Sequence, residues 1–170
     1  RLVVYDPEAL RREAIALHNE RRFGKVREFI VEVRKTGMTF SDMAQLDRTA
    51  QRGLFRQAGL QALKNGDFAR AIEHLQPVAK HYPEDYEVHV SLARAHYQRS
   101  DYGRATTLLE ALRKRNPSNG EVLFQLGLVE MSRGQEDIAI ARFTEAAHRG
   151  FDNAHFYLGY ASFKRGAYRE

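Results

Sequence analysis

The sequence predicts an all-α solenoid of antiparallel helix pairs, and three observations carry that prediction. One motif recurs at a fixed interval of 34 residues, small residues recur at a constant distance before each copy, and prolines follow the first two copies at matching places. A period of this length belongs to stacked helical hairpins, each too small to bury its own apolar face alone.

The motif copies are Asn65-Gly66-Asp67-Phe68-Ala69-Arg70-Ala71-Ile72, Arg99-Ser100-Asp101-Tyr102-Gly103-Arg104-Ala105-Thr106 and Arg133-Gly134-Gln135-Glu136-Asp137-Ile138-Ala139-Ile140. A fourth start, Arg165-Gly166-Ala167-Tyr168, follows after 32 residues. Upstream of these turns lie Ala58-Gly59, Leu92-Ala93, Leu126-Gly127 and Leu158-Gly159. Gly59, Ala93, Gly127 and Gly159 let two helices approach closely, and Ala71, Ala105 and Ala139 do the same from the second helix of each pair. Phe68 and Tyr102 fill the space beside the turn. Gly66 and Gly134 suit a helix end that needs left-handed backbone. Pro83 and Pro117 cannot continue a helix and mark the breaks between units. Ile72, Leu75, Val78 and Ala79 recur at helical spacing between these points.

This arrangement resembles the tetratricopeptide repeat: an apolar residue, a Leu-Gly-type pair and a tyrosine-type position, then Gly-Asp-Tyr and alanine, and finally proline. The resemblance implies a right-handed superhelix with full repeats at 52–85, 86–119 and 120–151 and the first helix of a truncated repeat over 152–170. Ser100 in place of the turn glycine, and Phe151 closing its unit two residues short where proline is usual, predict local irregularity at those two junctions.

Residues 1–51 read as a degenerate hairpin plus a helix extension. The same frame laid over 7–40 puts Leu10, Ala14, Leu17, Phe23, Val26, Ile30 and Val33 on core positions, with Arg21-Arg22 where the Gly-Asp turn would be. Ser41-Asp42 looks like a helix start, and the eleven residues from Ser41 to Gln51 then lengthen the first helix of the next unit.

Composition bounds the function. Apolar residues make up 43% and charged residues 29%, and no apolar run reaches the roughly 18 residues of a membrane span. No signal peptide is visible, although a start at Arg1 and a pattern breaking off at Glu170 read as a fragment from which a targeting segment could have been lost. The chain has no cysteine, which removes disulfides, thiol nucleophiles and thiolate metal sites. Basic and acidic side chains number 10 and 8 over 1–51, 11 and 7 over 52–119, and 6 and 7 over 120–170. That charge is dispersed over polar helix faces, unlike the aromatic-studded stripe of a nucleic-acid binder. The overall pI of 9.6 keeps a basic RNA-binding helical repeat as the alternative, alongside a repeat appendage of a larger enzyme.

No catalytic constellation is present: no phosphate-cradling glycine loop, no G-x-S-x-G and no H-E-x-x-H. His89 and His96 share a helix face but stand seven apart, and zinc pairs on a helix favour three or four. Both read as packing residues. Glu84-Asp85 and Glu136-Asp137 read as helix-start carboxylates that complement the dipole. The chain is therefore expected to be non-enzymatic, with no cofactor and no metal.

The resemblance also implies where partners would touch. In a tetratricopeptide stack the first helix of each pair lines the concave face, which here carries Arg56, Leu60, Leu63 and Lys64; Val90, Arg94, Tyr97 and Gln98; Phe124, Leu128, Met131 and Ser132; and Phe156, Tyr160, Phe163 and Lys164. Relatives that hold acidic chaperone tails use lysine and asparagine where this chain has Leu60, Ser91 and Glu121, so that mode is not expected. An apolar groove edged by Arg56, Lys64, Arg94 and Lys164 suits an amphipathic helix or peptide with acidic flanks. Some of these side chains could instead be covered by neighbouring helices or by the missing rest of the fourth repeat, Phe156 to Phe163 above all. The blurred hairpin could also fill the groove of a neighbouring copy and build homo-oligomers. Gly37-Met38-Thr39-Phe40-Ser41-Asp42-Met43-Ala44, set between that hairpin and the first clear repeat, is similar to the magnetosome-associated scaffolds of the same family. That similarity implies a cytoplasmic scaffold, peripheral on an organelle surface and reaching the membrane only through protein partners.

Overall fold

The computed structural model describes residues 6–167, which form helices α1 (Pro7–Asn19), α2 (Phe23–Lys35), α3 (Met43–Lys64), α4 (Phe68–His81), α5 (Tyr86–Gln98), α6 (Tyr102–Arg115), α7 (Gly120–Ser132), α8 (Glu136–His148) and α9 (Asn153–Ala167). No strand occurs among the described residues. The turn of the fourth motif copy, at Tyr168, lies outside them. The chain divides into two compact units, Arg1–Ala58 and Gly59–Glu170.

In the first unit, Asp6 caps α1 by accepting from the Glu8 amide at 3.0 Å, with Pro7 at the position where a missing N–H costs nothing. Leu10 and Ala14 of α1 and Val26, Ile30 and Val33 of α2 are buried together with Phe40, Met43 and Ala50. The Phe23 ring lies over Gly53, where a β-carbon would come within 2.4 Å of it. Charged pairs bind the start of α3 to the hairpin. Arg11 donates to both carboxylate oxygens of Asp42 at 2.9 and 3.1 Å, and Asp47 accepts from Arg27 and Arg34 of α2 at 2.9 and 3.1 Å. The extension starting near Ser41 is thus the first half of a single helix of 22 residues.

In the second unit the helices pack on their neighbours in the chain, and α5 also touches α7. Four of them start on a side-chain cap. Asp67, Asp85, Asp101 and Asn119 accept from the amides of Arg70, Val88, Arg104 and Val122; each such cap contributes about 1 kcal/mol. The intervals α3–α4, α5–α6 and α7–α8 share one turn. The amide of the residue after the turn bonds back five positions, Asp67 to Ala62, Asp101 to His96 and Gln135 to Glu130, each at 2.9 Å. Its predecessor is left-handed at Gly66 (φ 77°), Ser100 (φ 60°) and Gly134 (φ 76°). The irregularity expected at Ser100 is therefore absent: serine adopts the glycine conformation and makes the same bonds. In the first unit Arg21 (φ 58°) does likewise, with Arg22 bonding to Leu17 at 3.0 Å.

The expectation at Phe151 holds. Helices α4 and α6 end in residues of negative φ, Tyr82 (φ −130°) and Asn116 (φ −138°), ahead of Pro83 and Pro117. Helix α8 instead ends in a left-handed Gly150 (φ 77°), and Phe151 turns directly into α9 while packing on Phe124 with ring centroids 4.9 Å apart. One feature escapes the pattern: Pro77 lies inside α4, where it donates no backbone hydrogen bond.

Candidate protein-interaction surface

In the second unit the predicted contact positions lie on the end of α3 from Gly59 onward and on α5, α7 and α9. Two of those positions on adjacent helices meet directly: the hydroxyls of Tyr97 (α5) and Ser132 (α7) are 3.0 Å apart. Tyr97 also leans on Tyr102 at 5.9 Å between centroids, which fixes the ring and leaves its edge half-buried.

The predicted residues differ in depth. Arg94, Gln98, Ser132 and Lys64 are exposed, and Leu60, Leu63, Leu128 and Met131 are half-buried. Arg56 falls in the first unit, on the stretch of α3 before Gly59, and is half-buried there. Val90 and Phe124 are core residues, 4% and 7% exposed. Val90 joins Ala93, Ala105, Leu109, Leu112, Val122, Leu126 and Val129 in the α5–α6–α7 core. Phe124 is enclosed by rings: Phe143 of α8 at 5.7 Å, Phe151 at 4.9 Å and Tyr157 of α9 at 5.1 Å. Neither presents a surface, so the apolar part of the face is narrower than its repeat positions suggest.

On α9 the depth runs the other way. Cover by neighbouring helices or by the rest of the fourth repeat is the alternative for Phe156 to Phe163; among the described residues Phe156, Tyr160 and Phe163 are 72%, 50% and 74% exposed. Lys164 is half-buried and lies 3.4 Å from Glu136, while Arg165 pairs with Asp137 at 3.2 Å. These pairs dock the last turn of α9 onto the start of α8. The reading from repeat positions missed Tyr157 and Phe151, whose rings remove Phe124 from the surface. The sequence signal was there: Tyr157 stands one residue beyond Phe156, on the side of α9 that Ala154 and Ala161 turn inward.

On the opposite side of α5 the two histidines do packing work. His89 Nδ1 lies 2.9 Å from the Asp85 carbonyl oxygen. His96 is 5% exposed, with Nδ1 3.3 Å from Asp101 Oδ2. Burial lowers its pKa from the ordinary histidine value, and the Asp101 carboxylate only partly opposes that. Among the described residues, no group of three or more His, Asp or Glu side chains could hold a metal ion.

Comparison with known proteins places residues 62–123 in a match to the model of the tetratricopeptide repeat. No curated protein sequence matches the chain. Several solved structures share its fold. MamA, residues 41 to the end, from Desulfovibrio magneticus RS-1 superposes with a TM-score of 0.63 at 17% identity, covering 94% of this chain and 85% of that one. MamA of MSR-1 gives 0.56 at 23% identity, covering 94% and 87%. MamA of AMB-1 gives 0.55 at 22% identity, covering 94% and 82%. At these identities the likeness is one of fold, an all-α solenoid, in which the matched tetratricopeptide segment spans residues 62–123.

Proposed function

We propose that this tetratricopeptide-repeat chain is a non-enzymatic scaffold, whose second unit binds a partner helix or peptide along the first helices of its repeats. The observation that supports this reading is the Tyr97–Ser132 contact, which joins contact positions of consecutive repeats into one face. The other contact positions of these helices are half-buried at Leu60, Leu63, Leu128 and Met131 and exposed at Arg94, Gln98 and Lys64. An amphipathic helix with acidic flanks matches that mixture: its apolar side meets the leucines and methionine, and its carboxylates meet Arg94 and Lys64. The fold shared with MamA supports a magnetosome-type scaffold, cytoplasmic and peripheral on an organelle surface. No described helix is long and apolar enough to cross a membrane, so attachment through protein partners fits. Self-association through the N-terminal hairpin would extend the scaffold into an oligomer.

The test is capture of partners by the full chain and by Arg94→Glu combined with Tyr97→Ala. Arg94 is exposed, whereas Tyr97 packs against the α5–α6–α7 core, so capture is compared at a temperature where a melting curve shows the variant still folded. Loss of the same captured protein assigns the site to this face. Its retention places binding elsewhere and sinks the proposal.

A further inference from the structure

A small cavity opens beside the turn between α5 and α6. It is walled by Ile72 of α4, His96 near the end of α5, Arg99 and Asp101 of the turn, and Arg104 in the first turn of α6. Its volume is about 150 Å³, roughly ten times the minimum that admits one water. Helix α4 precedes it and α7 follows it, so the helix pairs around it are complete. This combination of side chains occurs once in the repeats. One repeat later Glu130, Gln135 and Ile138 stand in the places of His96, Asp101 and Arg104. One repeat earlier Ala62 takes the place of His96, and Asn65 that of Arg99. The cluster is therefore no part of what the repeat itself requires.

We propose that this cavity binds a small tetrahedral oxyanion, phosphate or sulfate, between the guanidinium groups of Arg99 and Arg104 and the His96 ring. The charges support an anion. Arg99 is exposed and has no acidic partner among the described residues. Arg104 is already engaged: its guanidinium lies 3.5 Å from Asp101 Oδ2, and its amide donates to Asp101 Oδ1 at 3.3 Å. Arg99, Arg104 and Asp101 sum to one positive charge, and a proton on His96 makes two, the complement of a dianion. Asp101 repels the anion, but it also prepares the ring. Its Oδ2 lies 3.3 Å from Nδ1, which holds the proton of the neutral ring on Nδ1. Nε2, without a partner among the described residues, is then a bare lone pair. A second proton turns Nε2 into a donor that an oxyanion can accept from. Burial chiefly, and then the Arg104 and Arg99 charges, oppose that proton, while Asp101 favours it. From α4 the facing residue is the uncharged Ile72. A bound dianion tips this balance, and by linkage proton and anion strengthen each other's binding by one factor. The site shares no residue with the partner face proposed above, so the two stand or fall separately.

A sulfate titration of the isotope-labelled full chain tests this, followed by the backbone amide resonances of residues 99–104 and referenced to sodium chloride of equal ionic strength. Sulfate keeps its charge between about pH 7.5 and 5.5, so any pH effect belongs to the protein. The shifts should saturate with a Kd of about 1–10 mM, and the affinity should rise about fivefold at the lower pH. Arg99→Ala changes an exposed, unpaired side chain and should abolish saturation with the fold intact. His96→Gln should keep the parent's affinity at the higher pH and lose the gain at the lower one, an effect that a merely structural histidine would not produce. Arg133→Ala, at the same position one repeat on, should bind like the parent. Inorganic phosphate against O-phosphoserine then separates the sources: tighter binding of the ester assigns the site to a phosphate carried on another molecule, and tighter binding of the free ion assigns it to phosphate itself. Shifts in the parent that stay linear, match those in chloride or survive in Arg99→Ala overturn the proposal. So does saturation that is the same at both pH values.

Discussion

The Phe143 ring occupies the space that any side chain on Gly127 would need: a β-carbon there would lie 2.5 Å from Cε1 and 2.7 Å from Cδ1. Phe143 is fully buried and braced by Phe124 and Tyr157, so it cannot swing aside. Gly127→Ala should therefore destabilise the fold despite alanine's better helix propensity. The overpacking cost is about 1–3 kcal/mol, against a propensity gain of about 1 kcal/mol. Leucine at this position should prevent stable packing of α7 on α8. Urea denaturation with the same variant at Gly159, where nothing crowds the site, provides the control: there alanine should stabilise.

Ser100 holds a φ of 60° without glycine's freedom. Replacing it with glycine removes a left-handed strain of about 1–2 kcal/mol and adds unfolded-chain entropy worth about 0.5–1 kcal/mol. The net expectation is a small stabilisation, read as a higher urea midpoint. The reverse change, Gly66→Ala at φ 77°, should destabilise by about 1 kcal/mol.

Phe124→Ala should act on stability and not selectively on binding. Truncating a ring enclosed by three others costs about 3–5 kcal/mol, and a melting curve should show it. Phe156→Ala, at the equivalent place on α9, should leave the melting temperature almost unchanged because that ring is 72% exposed.

Acid should weaken the second unit through His96. Its folded pKa is depressed, chiefly by burial, so the unfolded chain takes up the proton first, near its ordinary value of about 6.5. Stability is full above that pH and falls as the pH drops through it toward the folded pKa. Urea midpoints between pH 7.5 and 5.5 should decline, and His96→Gln should flatten part of that slope. An unchanged slope would show that His96 titrates alike in both states.

The repeat was legible because each signal reports a local requirement. Small residues at Gly59, Ala93 and Gly127 mark close helix approach, and Pro83 and Pro117 mark where helices cannot continue. Depth was not legible in the same way. Phe124 and Phe156 hold the same place in the repeat, yet Phe124 is core, because Phe151 and Tyr157 arrive over it, while among the described residues Phe156 stays 72% exposed. A position within a period specifies direction; what arrives from the next unit decides burial. Ser100 shows a related limit: residue type suggested a disturbed turn, but the hydrogen bonds of the turn hold serine in place.

The ring cluster around Phe124 also equips the chain with its own optical probe. There is no tryptophan, and Tyr157 is held against Phe124 and Phe143 at 5.1 and 5.7 Å. A phenol fixed in so asymmetric a setting contributes to near-ultraviolet circular dichroism only while α7, α8 and α9 remain docked. Loss of the part of that band removed by Tyr157→Phe, ahead of the far-ultraviolet helical signal, would report the last pairs loosening before their helices melt, because the chain's eight tyrosines share the band.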